Sequence, residues 1–114
     1  MSHEKYLSVI EALNQCAMDC FHCADACLEE RNPKDLARCI RLDQLCADTC
    51  LFTTRLLAVD SELSADALNL CAKACDLCAK ECEKHSKHMD HCRECAESCR
   101  DCAEECRSVA QVNV

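Results

Sequence analysis

Residues 91–106 read HCRECAESCRDCAEEC. Within them Cys92, Cys95, Cys99, Cys102 and Cys106 are separated by alternating steps of three and four residues. Such steps return to one face of an α-helix. The same spacing recurs upstream. Cys16, Cys20, Cys23 and Cys27 form one set, and Cys71, Cys75, Cys78 and Cys82 form another. A further set, Cys39, Asp43, Cys46 and Cys50, carries an aspartate where a thiol is expected. Together these sets account for all 16 cysteines. The chain therefore reads as four helices, each with a stripe of thiols along its buried seam.

Composition agrees with helices and little else. The chain of 114 residues has one Tyr, two Phe and no Trp, so the usual large core residues are scarce. It has no Gly and a single Pro, which suits long helices joined by short connections. The length is that of one domain, spanning residues 1–114.

Segment boundaries follow from local signals. The first helix is expected from about Glu4 to Glu30, with Ser2 as an imperfect cap. Asn32-Pro33 then marks a break, and Pro33 fits the first position of a second helix reaching Ala58. Asp60, Ser61 and Ser64 offer caps for a third helix, Ser64 to His85, and Asp66 complements its dipole. The fourth starts at Ser86 or Asp90 and runs to about Ala110. Short links make neighbouring helices antiparallel, giving an all-α, up-down-up-down four-helix bundle with a cysteine-lined core. The competing architecture is a long helical hairpin that pairs with another chain.

Extending each stripe outward distinguishes the two ends. One is closed by Tyr6, Val9, Leu13, Thr53, Leu57, Leu68 and Val109. At the other the seam continues through Glu30, Leu36, His85 and His88, with Cys92 just inside and Met89 and His91 flanking it. An apolar plug at one end and His, Met and carboxylate groups at the other suggest a defined mouth. His3, His22 and Met18 fall off the seam and carry no expected role.

Thiols in this pattern point to a soft metal. Residues four apart on a helix have Cβ atoms about 5–6 Å apart, close enough for two thiolates to share an ion. Soft thiolates select Cu(I), Zn or iron–sulfur clusters. Zn and iron–sulfur ligands usually come from turns and loops, whereas Cu(I) accepts low coordination numbers. If each ion binds two thiolates and each thiolate bridges two ions, capacity is on the order of one Cu(I) per Cys. Three further readings are a thiol packing core, a disulfide framework and a thiol redox protein. The redox protein needs one exposed low-pKa cysteine with a resolving partner, and the uniform stripe offers no such pair. A catalytic constellation is not expected. The candidate metal-binding residues are the 16 cysteines, Asp43 on their seam, and His85, His88, Met89 and His91 at the mouth.

The net charge of −8 argues against nucleic acid or an anionic membrane as partner. The opening MSHEKYLSVIEALNQ shows no apolar signal core and no twin arginine. The expected compartment is therefore the cytosol, where thiols stay reduced.

The thiol-striped helices, the CEKH of Cys82–His85 and the closing HCRECAESCRDCAEEC resemble the bacterial copper storage proteins over nearly the whole chain. That resemblance implies a four-helix bundle assembled as a tetramer, with many Cu(I) ions held by inward cysteines. It places His85 with the histidines of an open end where copper enters. Exported members carry a twin-arginine signal, so this chain resembles the cytosolic branch. Copper-delivering and copper-accepting proteins are the implied partners. Asp43 departs from the family pattern.

Overall fold

The computed structural model describes residues 2–112. Among them a 3-10 turn, Ser2–Tyr6, leads into α1, Leu7–Leu28. A second 3-10 turn, Pro33–Leu36, leads into α2, Ala37–Ala58. Helices α3, Ser64–Glu83, and α4, Asp90–Val112, follow. Helices adjacent in sequence pack on one another, and α1 closes the ring against α4. The result is the up-down-up-down bundle, 47 Å long and 18 Å across.

The narrow cross-section has a cause in the sequence. Beside many seam cysteines stands a buried alanine: Ala17, Ala24, Ala47, Ala72, Ala79, Ala96 and Ala103. Each follows a cysteine directly, and pairs such as Cys71-Ala72 and Cys78-Ala79 recur at seven residues. Small flanking side chains let the helices approach until the sulfurs fill the axis. Every one of the 16 cysteines is fully buried.

Helix ends are where expectation and structure differ. The helix expected from Glu4 begins at Leu7, because Ser2–Tyr6 winds as a 3-10 turn. The side chains of Ser2 and His3 lie outside the described residues. Asn32 occupies the cap position with Pro33 behind it, but its side chain makes no cap hydrogen bond. The third helix stops at Glu83 rather than His85, and the fourth starts at Asp90. At the far end of α4 the buried residue is Ala110, leaving the expected Val109 half-buried.

The plug end is built as expected from Tyr6, Val9, Leu13, Thr53, Leu57 and Leu68, all buried. Its turn needs a left-handed residue. With no glycine in the chain, Asp60 takes that conformation, at φ 51. The Ser61 amide bonds to the Leu56 carbonyl at 3.0 Å and the Asp60 amide to that of Leu57 at 3.1 Å. This pair of bonds is a Schellman ending. The Asp60 carboxylate accepts a hydrogen bond from the Tyr6 hydroxyl at 3.0 Å, tying the N-terminal turn over the plug.

Candidate metal centre

The antiparallel register of α2 and α3 sets four rungs across the bundle. Cys39 faces Cys82, Cys46 faces Cys75 and Cys50 faces Cys71, each pair at 3.6 Å between sulfurs. Asp43 takes the remaining rung, with the Cys78 thiol donating to Oδ1 at 3.1 Å. Between α1 and α4, Cys20 lies 3.7 Å from Cys95 and Cys99, Cys16 lies 3.7 Å from Cys99, and Cys23 lies 3.8 Å from Cys92. Contacts of 3.9–4.0 Å join the two pairs through Cys16, Cys20, Cys46 and Cys99. Cys27 reaches Cys23 at 4.0 Å and Cys102 reaches Cys106 at 3.9 Å. Sets of thiols within 4.8 Å of one another, and the contacts of Asp43 with Cys78, Cys82 and Cys95, join these groups into one file along the axis.

These spacings separate free thiols from disulfides and are short enough for neighbouring sulfurs to share an ion. A disulfide needs sulfurs about 2.05 Å apart, and all 16 cysteines are free. A first-row ion about 2.3 Å from each sulfur would hold three sulfurs about 4.0 Å apart and four about 3.8 Å apart. The observed 3.6–4.0 Å is already that spacing. Several sets of four thiols, such as Cys16, Cys46, Cys50 and Cys75, lie mutually within 4.8 Å. Neighbouring sets share members, for Cys16 and Cys46 also group with Cys20 and Cys99.

Asp43 sits inside the file with no exposure. Besides Cys78, the thiols of Cys95 and Cys82 donate to its Oδ1 at 3.3 and 3.5 Å, and that of Cys39 to Oδ2 at 3.8 Å. Burial first, and then the sulfurs of Cys95, Cys78 and Cys39, push its pKa up to about 12. At neutral pH the empty file therefore contains a carboxylic acid, not a carboxylate. The thiols of Cys23 and Cys106 are likewise raised, by hydrogen bonding to Cys27 and Cys102 respectively, then by other thiols and burial.

The mouth candidates separate sharply. His91 Nδ1 lies 3.5 Å from the sulfurs of both Cys23 and Cys92 and 3.9 Å from that of Cys27. Read from the stripe as a flanking residue, it is the mouth histidine that touches thiols among the described residues. Met89 is half-buried, its Sδ 3.9 Å from the Cys92 sulfur. His85 is half-buried, but its Nε2 lies 3.5 Å from Glu81 and makes no hydrogen bond. His88 is exposed rather than on the seam. The register that placed it there needs α4 to be wound already at Ser86, whereas residues 84–89 form the turn between α3 and α4. His22 and Met18 are exposed, as expected. A cleft of about 290 Å³ lined by Glu30, Arg31, Leu36, His85 and Met89 opens at this end. A larger groove of about 490 Å³ beside Glu83, Arg93 and Arg100 runs over the α3–α4 surface and is lined by no thiol.

A four-helix bundle with a buried, continuous thiol file and one end bearing His and Met is a container for soft metal ions. The profile of the copper storage protein family matches residues 2–111, and the chain belongs to that family. The Cu(I)-bound copper storage protein BsCsp3 of Bacillus subtilis superposes with a TM-score of 0.85 at 44% identity, covering 90% of this chain and 95% of that one. A cytosolic copper storage protein of Streptomyces lividans, solved with five coppers, gives 0.91 at 38% identity over 96% and 95%. The uncharacterized cysteine-rich protein YhjQ of Bacillus subtilis (strain 168) is 45% identical over 62 residues, 54% of this chain and 57% of that protein.

Proposed function

We propose that this chain is a store for Cu(I), in which the 16 cysteines are the ligands and capacity is on the order of one ion per thiol. The observation that carries this reading is that every thiol is buried and lies within 4.0 Å of another. Thiolate sulfurs shared between adjacent ions suit a monovalent soft metal. Each Cu(I) brings the charge that one departing proton removes, so the filled file avoids unpaired buried charge. Residues 1–114 act as one storage domain, and its role is sequestration rather than catalysis.

Copper enters at the end bearing His91, Met89 and Cys92, with His85 nearby and Asp43 deeper in the file as an oxygen donor. Its sources and acceptors are copper-carrying proteins. The compartment is the cytosol, a reading supported by the relative described as cytosolic. No helix among the described residues is long and apolar enough to cross a membrane. The homotetramer implied by the resemblance would use an outward apolar seam. Leu63, Leu70 and Leu77 recur at seven residues on α3, beside Leu45 and Phe52 of α2, and all five are about half exposed. A second copy of this seam is its natural cover.

Anaerobic titration of the reduced protein with Cu(I) against a chelator of known affinity tests the reading. Uptake on the order of 16 ions is expected from one ion per thiol. A plateau below about four ions, the number separate tetrahedral sites would hold, overturns it.

A further inference from the structure

We infer that Glu30 is a positioning residue that fixes the ring of His91 so that its Nδ1 lone pair faces Cys23, Cys27 and Cys92. The inference rests on the copper-storage reading and names how the mouth is prepared for its first ion. A neutral imidazole carries one N–H and one lone pair, and the partner of one nitrogen decides the state of the other. His91 Nε2 lies 2.8 Å from Glu30 Oε2. A carboxylate oxygen accepts at that distance, so in the neutral ring the proton sits on Nε2. Nδ1 is left as the acceptor, 3.5–3.9 Å from three sulfurs. With the proton on the other nitrogen, an N–H would point at the sulfurs and obstruct an arriving cation.

The placement of Glu30 is set by the end of α1. Its amide bonds to the carbonyl of Cys27 at 3.2 Å, so the turn that ends the helix carrying Cys23 and Cys27 also aims the carboxylate. His91 enters from the first turn of α4. The histidine is nearly buried, at 12% side-chain exposure, while Glu30 is at 36%, so the pair spans the rim from water to thiols. A histidine beside a glutamate is not enough to make this arrangement. His85 stands 3.5 Å from Glu81 Oε2, yet its Nε2 makes no hydrogen bond, and the other oxygen of that carboxylate pairs with Arg38 and Lys84. Carboxylate–histidine pairs of the Glu30–His91 kind orient metal ligands generally.

Two measurements on the full-length reduced protein test this. The first needs no metal: the ring tautomer of His91, read from long-range nitrogen–proton NMR correlations. The wild type should show the proton on Nε2, Glu30→Ala should lose that preference, and Glu30→Gln, whose Oε1 still accepts, should keep it. The second is the rate of uptake of the first equivalent of Cu(I) from a chelator. Glu30→Ala should slow it by about tenfold, Glu30→Gln should stay within about twofold, and Glu30→Ala should add nothing in a His91→Ala background. An unchanged tautomer in Glu30→Ala overturns the inference, as does equal slowing with and without His91. Failure of the storage reading is separately visible as a wild-type plateau below about four ions, with the tautomer result unaffected.

Discussion

Replacing Asp43 by Asn should change how the stability of the empty protein depends on pH. In the unfolded chain an Asp titrates near 3.9. In the fold, burial and the surrounding sulfurs push Asp43 up to about 12. Between those values the folded protein holds a proton that the unfolded chain has released. The stabilisation is thus complete below about pH 4 and is lost as pH rises, at about 1.4 kcal/mol per unit. From pH 4 to 7 the loss is about 4 kcal/mol, and any folded pKa above about 8 gives nearly the same figure. Asparagine does not titrate, and its Oδ1 can still accept from Cys78, Cys82 and Cys95. The variant's advantage over wild type should therefore grow by about 4 kcal/mol between pH 4 and pH 7. Urea unfolding of the metal-free, phosphine-reduced proteins across that range measures it. Surface carboxylates cancel in the difference because both proteins carry them. Stability curves that run parallel within about 1 kcal/mol would refute a neutral buried acid, since a titrating difference must change with pH.

Other consequences are as direct. Completing the seam with Asp43→Cys should raise Cu(I) capacity by about one ion, on the count of one per thiol, as read by the titration plateau. Raised thiols such as Cys23 and Cys106 keep protons that an unfolded thiol gives up near pH 8.5. Cys106→Ala should therefore flatten the fall in stability of the empty protein above that pH, and parallel circular dichroism melts of wild type and variant at rising pH would mean that this thiol titrates freely. Leu70→Glu should lower the native mass in size-exclusion light scattering with helicity intact, and an unchanged mass would remove the α2–α3 seam as the contact between copies. His88→Ala should leave the rate and extent of copper loading unchanged, and a slower first phase would restore it to the mouth.

How far the sequence could be read depended on which features are periodic. Thiol steps of three and four placed 16 cysteines and Asp43 on inward faces, because a helix repeats its own geometry along its length. Helix ends have no such repeat. Without glycine, the left-handed turn fell to Asp60 with nothing in the composition to announce it. The turn at residues 84–89 carries no Gly or Pro either, and extending the stripe through it misplaced His88. His91 was legible only as a neighbour of Cys92. Its approach to the sulfurs depends on Glu30, 61 residues away, and periodicity within one helix does not report such contacts. A missed signal was the alanine that follows many seam cysteines, which gives the reason the helices close to 18 Å across.

Storage sets a condition that most metal proteins escape: the protein must be folded both empty and full. A zinc finger without its ion unfolds, because the metal supplies the folding energy. Here the empty core is closed by buried thiols that pack as small apolar side chains, and by an Asp43 whose pKa burial pushes up to about 12. Once the file is full, each thiol proton has been exchanged for one Cu(I), so the charge inside the bundle is the same full as empty. Neither the first ion nor the last leaves a bare thiolate buried, which would cost several kcal/mol. A divalent ion keeps that balance only if two protons leave for each ion, which limits the file to one ion per two thiols. Discrimination for a monovalent soft metal therefore comes from charge conservation in a dry file as much as from sulfur's softness. It should appear as the release of close to one proton per Cu(I) at neutral pH, summed over a complete titration in weak buffer. A summed ratio well below one would mean that ions were entering without displacing protons, and the full file would then carry excess buried charge.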